Sequence, residues 1–134
     1  MTRSAAALSR AAMTRLLGPP AYRVLFWLAT AFAVVMAVLP KPPSNPLDRF
    51  GDKVEHMVAF AVLALLANLG FAAARKRTIV ERLAFLGAAI EMVQSIPALH
   101  RDSDIRDWLF DIAAVVAVTA AFALARRRRQ GSQA

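Results

Sequence analysis

Four long apolar segments, separated by short charged clusters, dominate the pattern along the chain. They lie at about residues 22–39, 55–74, 79–97 and 107–125, and proline or glycine stands near most of their ends. A helix of about 20 residues crosses the hydrocarbon core of a bilayer. The pattern therefore predicts an all-α fold: an integral membrane four-helix bundle. The third segment is the weakest by hydropathy because it carries Glu81, Arg82, Glu91 and Gln94.

Positive charge is divided unevenly between the two ends of these segments. Most of the 17 Lys and Arg residues lie in the N-terminal flank, the loop between the second and third segments, and the C-terminal tail. These are Arg3, Arg10, Arg15, Arg23, Arg75, Lys76, Arg77, Arg82 and Arg126 to Arg129. Because cytoplasmic loops are rich in Lys and Arg, we expect both termini to be cytoplasmic. Residues 1–21 are then a basic, interfacial arm, 22–126 the four-span domain, and 127–134 a basic cytoplasmic tail.

Composition agrees with a bilayer as the main partner of the chain. Hydrophobic residues make up 58% of it, charged residues 19%, and the mean hydropathy is +0.47. These values exclude intrinsic disorder, and a soluble four-helix bundle is the less favoured alternative. The net charge of +8 would suit nucleic acid if it were spread over a soluble surface. It is confined to clusters beside apolar segments, so we expect no nucleic-acid partner. With no cysteine, disulfides and thiolate metal sites are excluded.

Polar residues concentrate at the outer ends of the second, third and fourth segments. In an antiparallel bundle these three ends meet at one face. The residues that we expect to converge there, as a ligand-binding set, are Asp52, Lys53, His56, Glu91, Gln94, Arg101, Asp104, Asp107 and Asp111. His56 follows Asp52 by four residues, and Asp111 follows Asp107 by four, so each pair shares one helix face.

Helix capping explains part of this set. Asp52 and Asp104 each stand at the predicted start of a helix, with an acidic residue three positions later, as in a capping box. Capping does not explain Glu91, which lies below the interface in the second half of its helix. A charge at that depth usually has a partner, so we expect a cation from Arg101, His56 or Lys53 beside it.

Several kinds of chemistry remain open for these residues. Lys53 and Arg101 are candidates for contact with an anionic headgroup. Glu91, His56 and Asp111 are candidate catalytic residues if burial makes them acids, bases or proton carriers. A weaker hypothesis gives a divalent metal site, and its candidate ligands are His56, Glu91, Asp107 and Asp111. No cofactor is otherwise predicted. A buried network that only holds the helices in register is an equally weighted alternative.

The order of these motifs resembles the VanZ-like family of membrane proteins. The resemblance rests on Asp52-Lys53-x-x-His56, Glu91-x-x-Gln94 and Arg101-x-x-Asp104-x-x-Asp107, over about residues 50–120. The family pattern has Asn and then a small Gly after the final Asp. Asp111 and Ala114 stand at these positions here.

The resemblance implies a multi-pass protein of the bacterial cytoplasmic membrane, in a family whose named member is associated with resistance to teicoplanin. It implies no agreed substrate, cofactor or reaction. The leading hypothesis is an extracytoplasmic pocket that recognises an anionic envelope or lipid-linked component. The alternatives are a metal-dependent or acid–base enzyme of envelope metabolism, and a non-catalytic partner subunit.

Overall fold

The computed structural model describes residues 18–40, 42–44, 46–101 and 103–132, and the side chains of Asp48 and Asp52 are not among the described parts. Its helices are α1 (Pro19–Val38), α2 (Asp52–Gly70), α3 (Lys76–Gln94) and α4 (Ile105–Gly131). Two short 3₁₀ turns, Asp48–Phe50 and Pro97–Leu99, precede α2 and α4. The described chain contains no strand, so the predicted all-α class is confirmed. Most of the basic arm, residues 1–17, lies outside the described residues.

The helix starts follow local sequence. In α1, Pro19 and Pro20 occupy the first turn, where a missing N–H costs nothing. At α2 the capping prediction was wrong, because the N-cap is Gly51, with φ of 86°, and not Asp52. A residue with positive φ is tolerated there because glycine has no Cβ. At α4 the prediction is confirmed: Asp104 is the N-cap.

The C-terminal tail differs in part from the prediction. Helix α4 does not end near residue 125 but continues through the arginine cluster to Gly131. Arg128 and Arg129 lie in its last turn, where positive side chains complement the negative end of the helix dipole. Most of the predicted tail is therefore the last part of a 27-residue helix.

Helix α2 lies at the centre of the packing, in contact with α1, α3 and α4, and α3 also packs against α4. The apolar core between these helices consists of Ala37, Phe60, Leu63, Ala64, Ala67, Ile79, Leu83, Ile90 and Val115. Gly70 allows α1 and α2 to approach closely: a Cβ there would lie 3.0 Å from the backbone nitrogen of Arg23. The Arg23 guanidinium also donates a hydrogen bond to the Gly70 carbonyl, at 2.8 Å.

Large apolar side chains cover much of the outside of the bundle. Trp27, Leu28 and Phe32 on α1 are each more than 60% exposed, as is Phe85 on α3. Helices α1, α2 and α4 are long and apolar enough to cross a membrane. Helix α3 is long enough as well, but its sequence carries too many polar and charged residues to qualify by the same measure. The apolar outer surface and the three long helices indicate a membrane protein.

Candidate functional site

The predicted convergence of polar groups is present at one end of the bundle. The start of α2, the end of α3 and the start of α4 meet there: Lys53 on α2 binds Asp107 on α4, and Glu91 on α3 binds the backbone N–H of Asp104, the N-cap of α4. Of the predicted set, Glu91, Gln94, Asp107 and Asp111 are buried. The side chain of Asp52 lies outside the described parts of the structure.

Lys53 joins α2 to α4 through two carboxylates. Its ammonium donates hydrogen bonds to Asp104 Oδ2 at 2.9 Å and to Asp107 Oδ1 at 2.8 Å. The Asp107 side chain is only 10% exposed, whereas that of Asp104 is 39% exposed. Lys53 therefore neutralises a buried aspartate, and its charge is already balanced by the protein. This is a different role from the predicted contact with an anionic ligand.

Asp104 also caps α4. Its Oδ1 accepts a hydrogen bond from the Arg106 backbone N–H at 2.9 Å. This hydrogen bond, together with the one from Lys53, lowers the pKa of the Asp104 carboxyl below its ordinary value of 3.8. The predicted capping-box partner Asp107 binds Lys53 instead.

Glu91 attaches the loop between α3 and α4 to the end of α3. Its Oε2 accepts hydrogen bonds from Ser103 Oγ at 2.9 Å and from the Asp104 backbone N–H at 3.0 Å. Ser103 Oγ also lies 3.0 Å from the Glu91 backbone carbonyl. The sequence predicted a cation beside this carboxylate. Within the described part of the chain no Lys, Arg or His lies within 4.0 Å of it, and neutral donors hold it instead.

His56 and Asp111 form a buried pair between α2 and α4. The distance from His56 Nδ1 to Asp111 Oδ2 is 3.6 Å, and Asp111 is only 2% exposed. Gly87 makes room for the Trp108 ring, which would lie 3.1 Å from a Cβ at this position, whereas Asp111 Oδ2 would lie at the ordinary contact distance of 3.6 Å. Three buried atoms, His56 Nδ1, Glu91 Oε1 and Asp111 Oδ1, have no hydrogen-bond partner among the described residues.

Gln94 connects α3 to the end of α1. Its Nε2 donates a hydrogen bond to the Ala37 carbonyl at 3.0 Å, and the residue is only 2% exposed. This contact supplies a partner for a backbone oxygen near the C-terminal end of α1, which the helix itself leaves unpaired. The side-chain amide of Gln94 therefore links α3 to α1, and its predicted place in the ligand-binding set stays a prediction.

A cavity of about 480 Å³ lies beside this polar end, between α1 and α2. Its walls are mainly apolar, and Glu55, His56 and Arg101 supply its charged and titratable groups. The Arg101 guanidinium has no carboxylate within 4.0 Å among the residues that the structure describes. The cavity thus combines a mainly apolar lining with a few charged and titratable residues.

The metal hypothesis gains no support from the geometry. Across residues 18–132, leaving out the undescribed positions, no three His, Asp or Glu side chains are grouped as a metal site requires. The predicted ligands His56, Glu91, Asp107 and Asp111 are instead divided among the contacts described above: Lys53 binds Asp107, and Ser103 binds Glu91.

A second polar cluster, which the sequence reasoning missed, lies at the opposite end of the bundle. Asn68 Nδ2 donates to Thr119 Oγ1 at 3.1 Å, and Lys76 Nζ donates to Asn68 Oδ1 at 2.8 Å. Asn68 and Thr119 are buried. The available signal was Asn68 itself, the strongly polar residue in an otherwise apolar segment. The cluster links α2, α3 and α4, and its polar atoms satisfy one another.

Comparisons with protein-family models, with curated proteins and with solved structures found no match to this chain.

Proposed function

We propose that the protein crosses a membrane four times, with both termini in the cytoplasm and the Lys53–Asp107 end of the bundle outside. Three long apolar helices support the proposal, as does the charge distribution, with the arginine-rich end of α4 opposite the polar cavity. Helix α3 is the fourth span. Its buried polar residues are hydrogen-bonded within the protein, so they do not face the lipid.

The absence of cysteine gives a direct test of this topology, because one introduced cysteine is the only thiol. Ser44→Cys lies between α1 and α2, and Ser132→Cys follows α4; both positions are exposed. In intact spheroplasts, a membrane-impermeant maleimide should label Ser44→Cys but not Ser132→Cys. Both should react after lysis. Labelling of Ser132→Cys before lysis would contradict the orientation. If only one of the two cysteines reacts after lysis, the unreactive position is shielded by something other than the membrane.

The function that the site supports best is recognition of an anionic, lipid-linked component of the cell envelope at the extracytoplasmic surface. The observation that carries this proposal is that Arg101 and His56 both line the cavity at its polar end. The nearby aspartates Asp104 and Asp107 bind Lys53, and among the described residues no carboxylate lies within 4.0 Å of the Arg101 guanidinium. Arginine binds phosphate or carboxylate with paired hydrogen bonds. The resemblance to VanZ-like proteins agrees with a membrane protein but implies no agreed ligand.

The test is binding of an anionic lipid by purified protein. Nanodiscs of phosphatidylcholine containing a minor fraction of phosphatidylglycerol supply the probe, and native mass spectrometry counts the retained lipid. Arg101→Gln should reduce the retained phosphatidylglycerol. Arg106→Gln is the matched control, because it removes the same charge from an exposed residue of the same region that does not line the cavity. Equal retention in both variants would refute the proposal.

The buried His56–Asp111 pair supports a second candidate, an acid–base enzyme acting on the same component. His56 lines the cavity, and Asp111 stands behind it on α4. Under this hypothesis His56→Gln and Asp111→Asn abolish turnover of the envelope component but leave the Arg101-dependent binding intact. Loss of binding in both variants, with no reaction detected in wild-type protein, would contradict the enzyme hypothesis. The resemblance extends either proposal to teicoplanin susceptibility, measured in cells that express wild-type protein or Arg101→Gln.

A further inference from the structure

The cavity beside Arg101 continues away from the polar end as an apolar cleft between α1 and α2. On α1 its lining extends from Ala29 to Ala37, which corresponds to about 12 Å along the helix axis. Small side chains create the space between the two helices. Those that line it are Ala29, Ala33, Ala37 and Ala59. The cleft is therefore longer than a headgroup site requires, and it extends toward the middle of the apolar segment.

The cleft is accessible from the side of the bundle. Phe32, on its α1 edge, is 67% exposed, and Val58 and Val62, on its α2 edge, are 41% and 43% exposed. In a bilayer these edges face the hydrocarbon region, so an acyl or isoprenoid chain can enter from the membrane. Water is a poor occupant of the deep part, since an ordered water needs two to four polar partners. The described lining residues there are alanine, valine, leucine, phenylalanine and methionine.

The charged end of the cleft determines which amphiphile fits. Arg101 supplies the positive charge, Glu55 a carboxylate and His56 a titratable ring. A neutral lipid would fill the apolar part but make no ionic contact with Arg101, whereas the phosphate of an anionic headgroup can make one. A free anion would contact Arg101 but leave the apolar part unfilled. An anionic lipid satisfies both ends.

We infer that the cleft between α1 and α2 holds one hydrocarbon chain of a phosphate-bearing anionic lipid, whose headgroup lies against Arg101. The inference rests on the proposed function and adds to it the position of the chain and its lateral route of entry. It also identifies Ala33 and Ala59 as the residues whose small size makes room for the chain.

Photo-crosslinking tests the position of the chain. Full-length protein in phosphatidylcholine nanodiscs is given phosphatidylglycerol that carries a diazirine on one acyl chain. Phosphatidylcholine with the same diazirine chain, in parallel samples, measures labelling by bulk lipid. We expect excess labelling by the anionic probe at residues 29–37 and 58–63 in wild-type protein. Ala33→Phe, which fills the cleft, should abolish that excess.

Matched variants separate steric blockade from misfolding. Ala120→Phe introduces the same ring on the exposed face of α4, away from the cleft, and should leave the excess labelling unchanged. Ala59→Phe fills the cleft from α2 and should reproduce the loss seen with Ala33→Phe. Helical content, from circular dichroism, should match wild type in all three. If labelling is lost only in variants whose helical content also falls, the loss reflects misfolding and the inference is overturned.

The outcomes distinguish this inference from the proposed function. If Arg101→Gln removes the excess labelling and neither phenylalanine variant does, the headgroup is recognised but the chain lies elsewhere, so only the inference fails. If the phenylalanine variants remove the excess labelling and Arg101→Gln does not, the cleft binds a lipid chain without selecting for a negatively charged headgroup. That result overturns both the anionic inference and the proposed function. Equal labelling by the two probes in wild-type protein would also overturn both.

Discussion

Replacing Glu91 tests whether its carboxylate organises the loop that carries Arg101. Glu91 Oε2 accepts two hydrogen bonds, from Ser103 Oγ and from the Asp104 backbone N–H. Hydrogen bonds to charged groups contribute about 1.5–3 kcal/mol each in soluble proteins, but interhelical bonds in membrane proteins average only about 0.6 kcal/mol. Two bonds are therefore worth between about 1 and 6 kcal/mol on these scales.

Glu91 Oε1 lowers the expected free-energy loss, because it is buried and has no hydrogen-bond partner among the described residues. Its burial costs free energy that Glu91→Ala recovers, so the net loss is well below the upper limit. We expect Glu91→Ala to lower the free energy of unfolding by about 2 kcal/mol. Glu91→Gln retains an oxygen acceptor and should cost about half as much. Ser103→Ala removes one hydrogen-bond donor, from an exposed residue, and should cost about 0.5–1 kcal/mol.

Reversible unfolding in mixed micelles, followed by circular dichroism, provides these free energies. The double variant Glu91→Ala/Ser103→Ala completes a cycle, and it should be only slightly less stable than Glu91→Ala alone, because the serine bond to the carboxylate is already lost and only the contact with the Glu91 backbone carbonyl remains. A loss for Glu91→Ala no greater than that for Ser103→Ala would show that the carboxylate does not hold the loop. Additive losses in the double variant would show that the two side chains act independently.

The remaining predictions concern the second polar cluster and the N-cap of α4. Asn68→Leu should destabilise the protein by about 2 kcal/mol because it removes the Lys76 ammonium's hydrogen-bond acceptor, and adding Lys76→Met should restore part of that loss in the same unfolding assay. Unchanged stability in Asn68→Leu would refute a linking role for the cluster. The pKa of Asp104 is lowered by the Arg106 amide and by Lys53, so the carboxylate stabilises the fold above its unfolded-state pKa and loses this effect as pH falls through the lower folded-state value. Below about pH 4, the free energy of unfolding of Asp104→Asn should therefore fall less than that of wild type. If both proteins lose the same stability at acid pH, the Asp104 carboxylate does not stabilise the fold in this way.

The sequence predicted the approximate position of each helix and the convergence of three polar helix ends, because the length of the apolar segments and their antiparallel connection determine both. It could not predict which partner each polar side chain contacts. Successive residues point about 100° apart around a helix, so a small rotation decides whether Lys53 faces Asp107 or the cavity. The structure turns Lys53 toward the carboxylates and places Arg101 at the cavity.

The N-cap of α2 shows a similar limit. Gly51 and Asp52 are both suitable N-cap residues, and the choice depends on the direction in which the chain arrives. The 3₁₀ turn at Asp48–Phe50 brings the chain into α2 through a residue with φ of 86°, which favours glycine. The loop residue Ser103 was also not predicted to contact Glu91, because the conformation of the α3–α4 loop is not encoded in any periodic pattern.

Helix α3 explains why average hydropathy is an incomplete guide to the number of spans. An average counts every polar residue equally, although only those that face lipid oppose insertion. Glu91 and Gln94 are buried and hydrogen-bonded within the bundle, and Lys76 is bonded to Asn68 at the other end of α3. The apolar side chain of Phe85, by contrast, is 77% exposed. The exposed charged residues of α3, Arg77, Glu81 and Arg82, lie in its first two turns, and the residues exposed beyond them are Phe85, Met92 and Val93. This distribution, and not the average, supports the proposal that α3 is the fourth span.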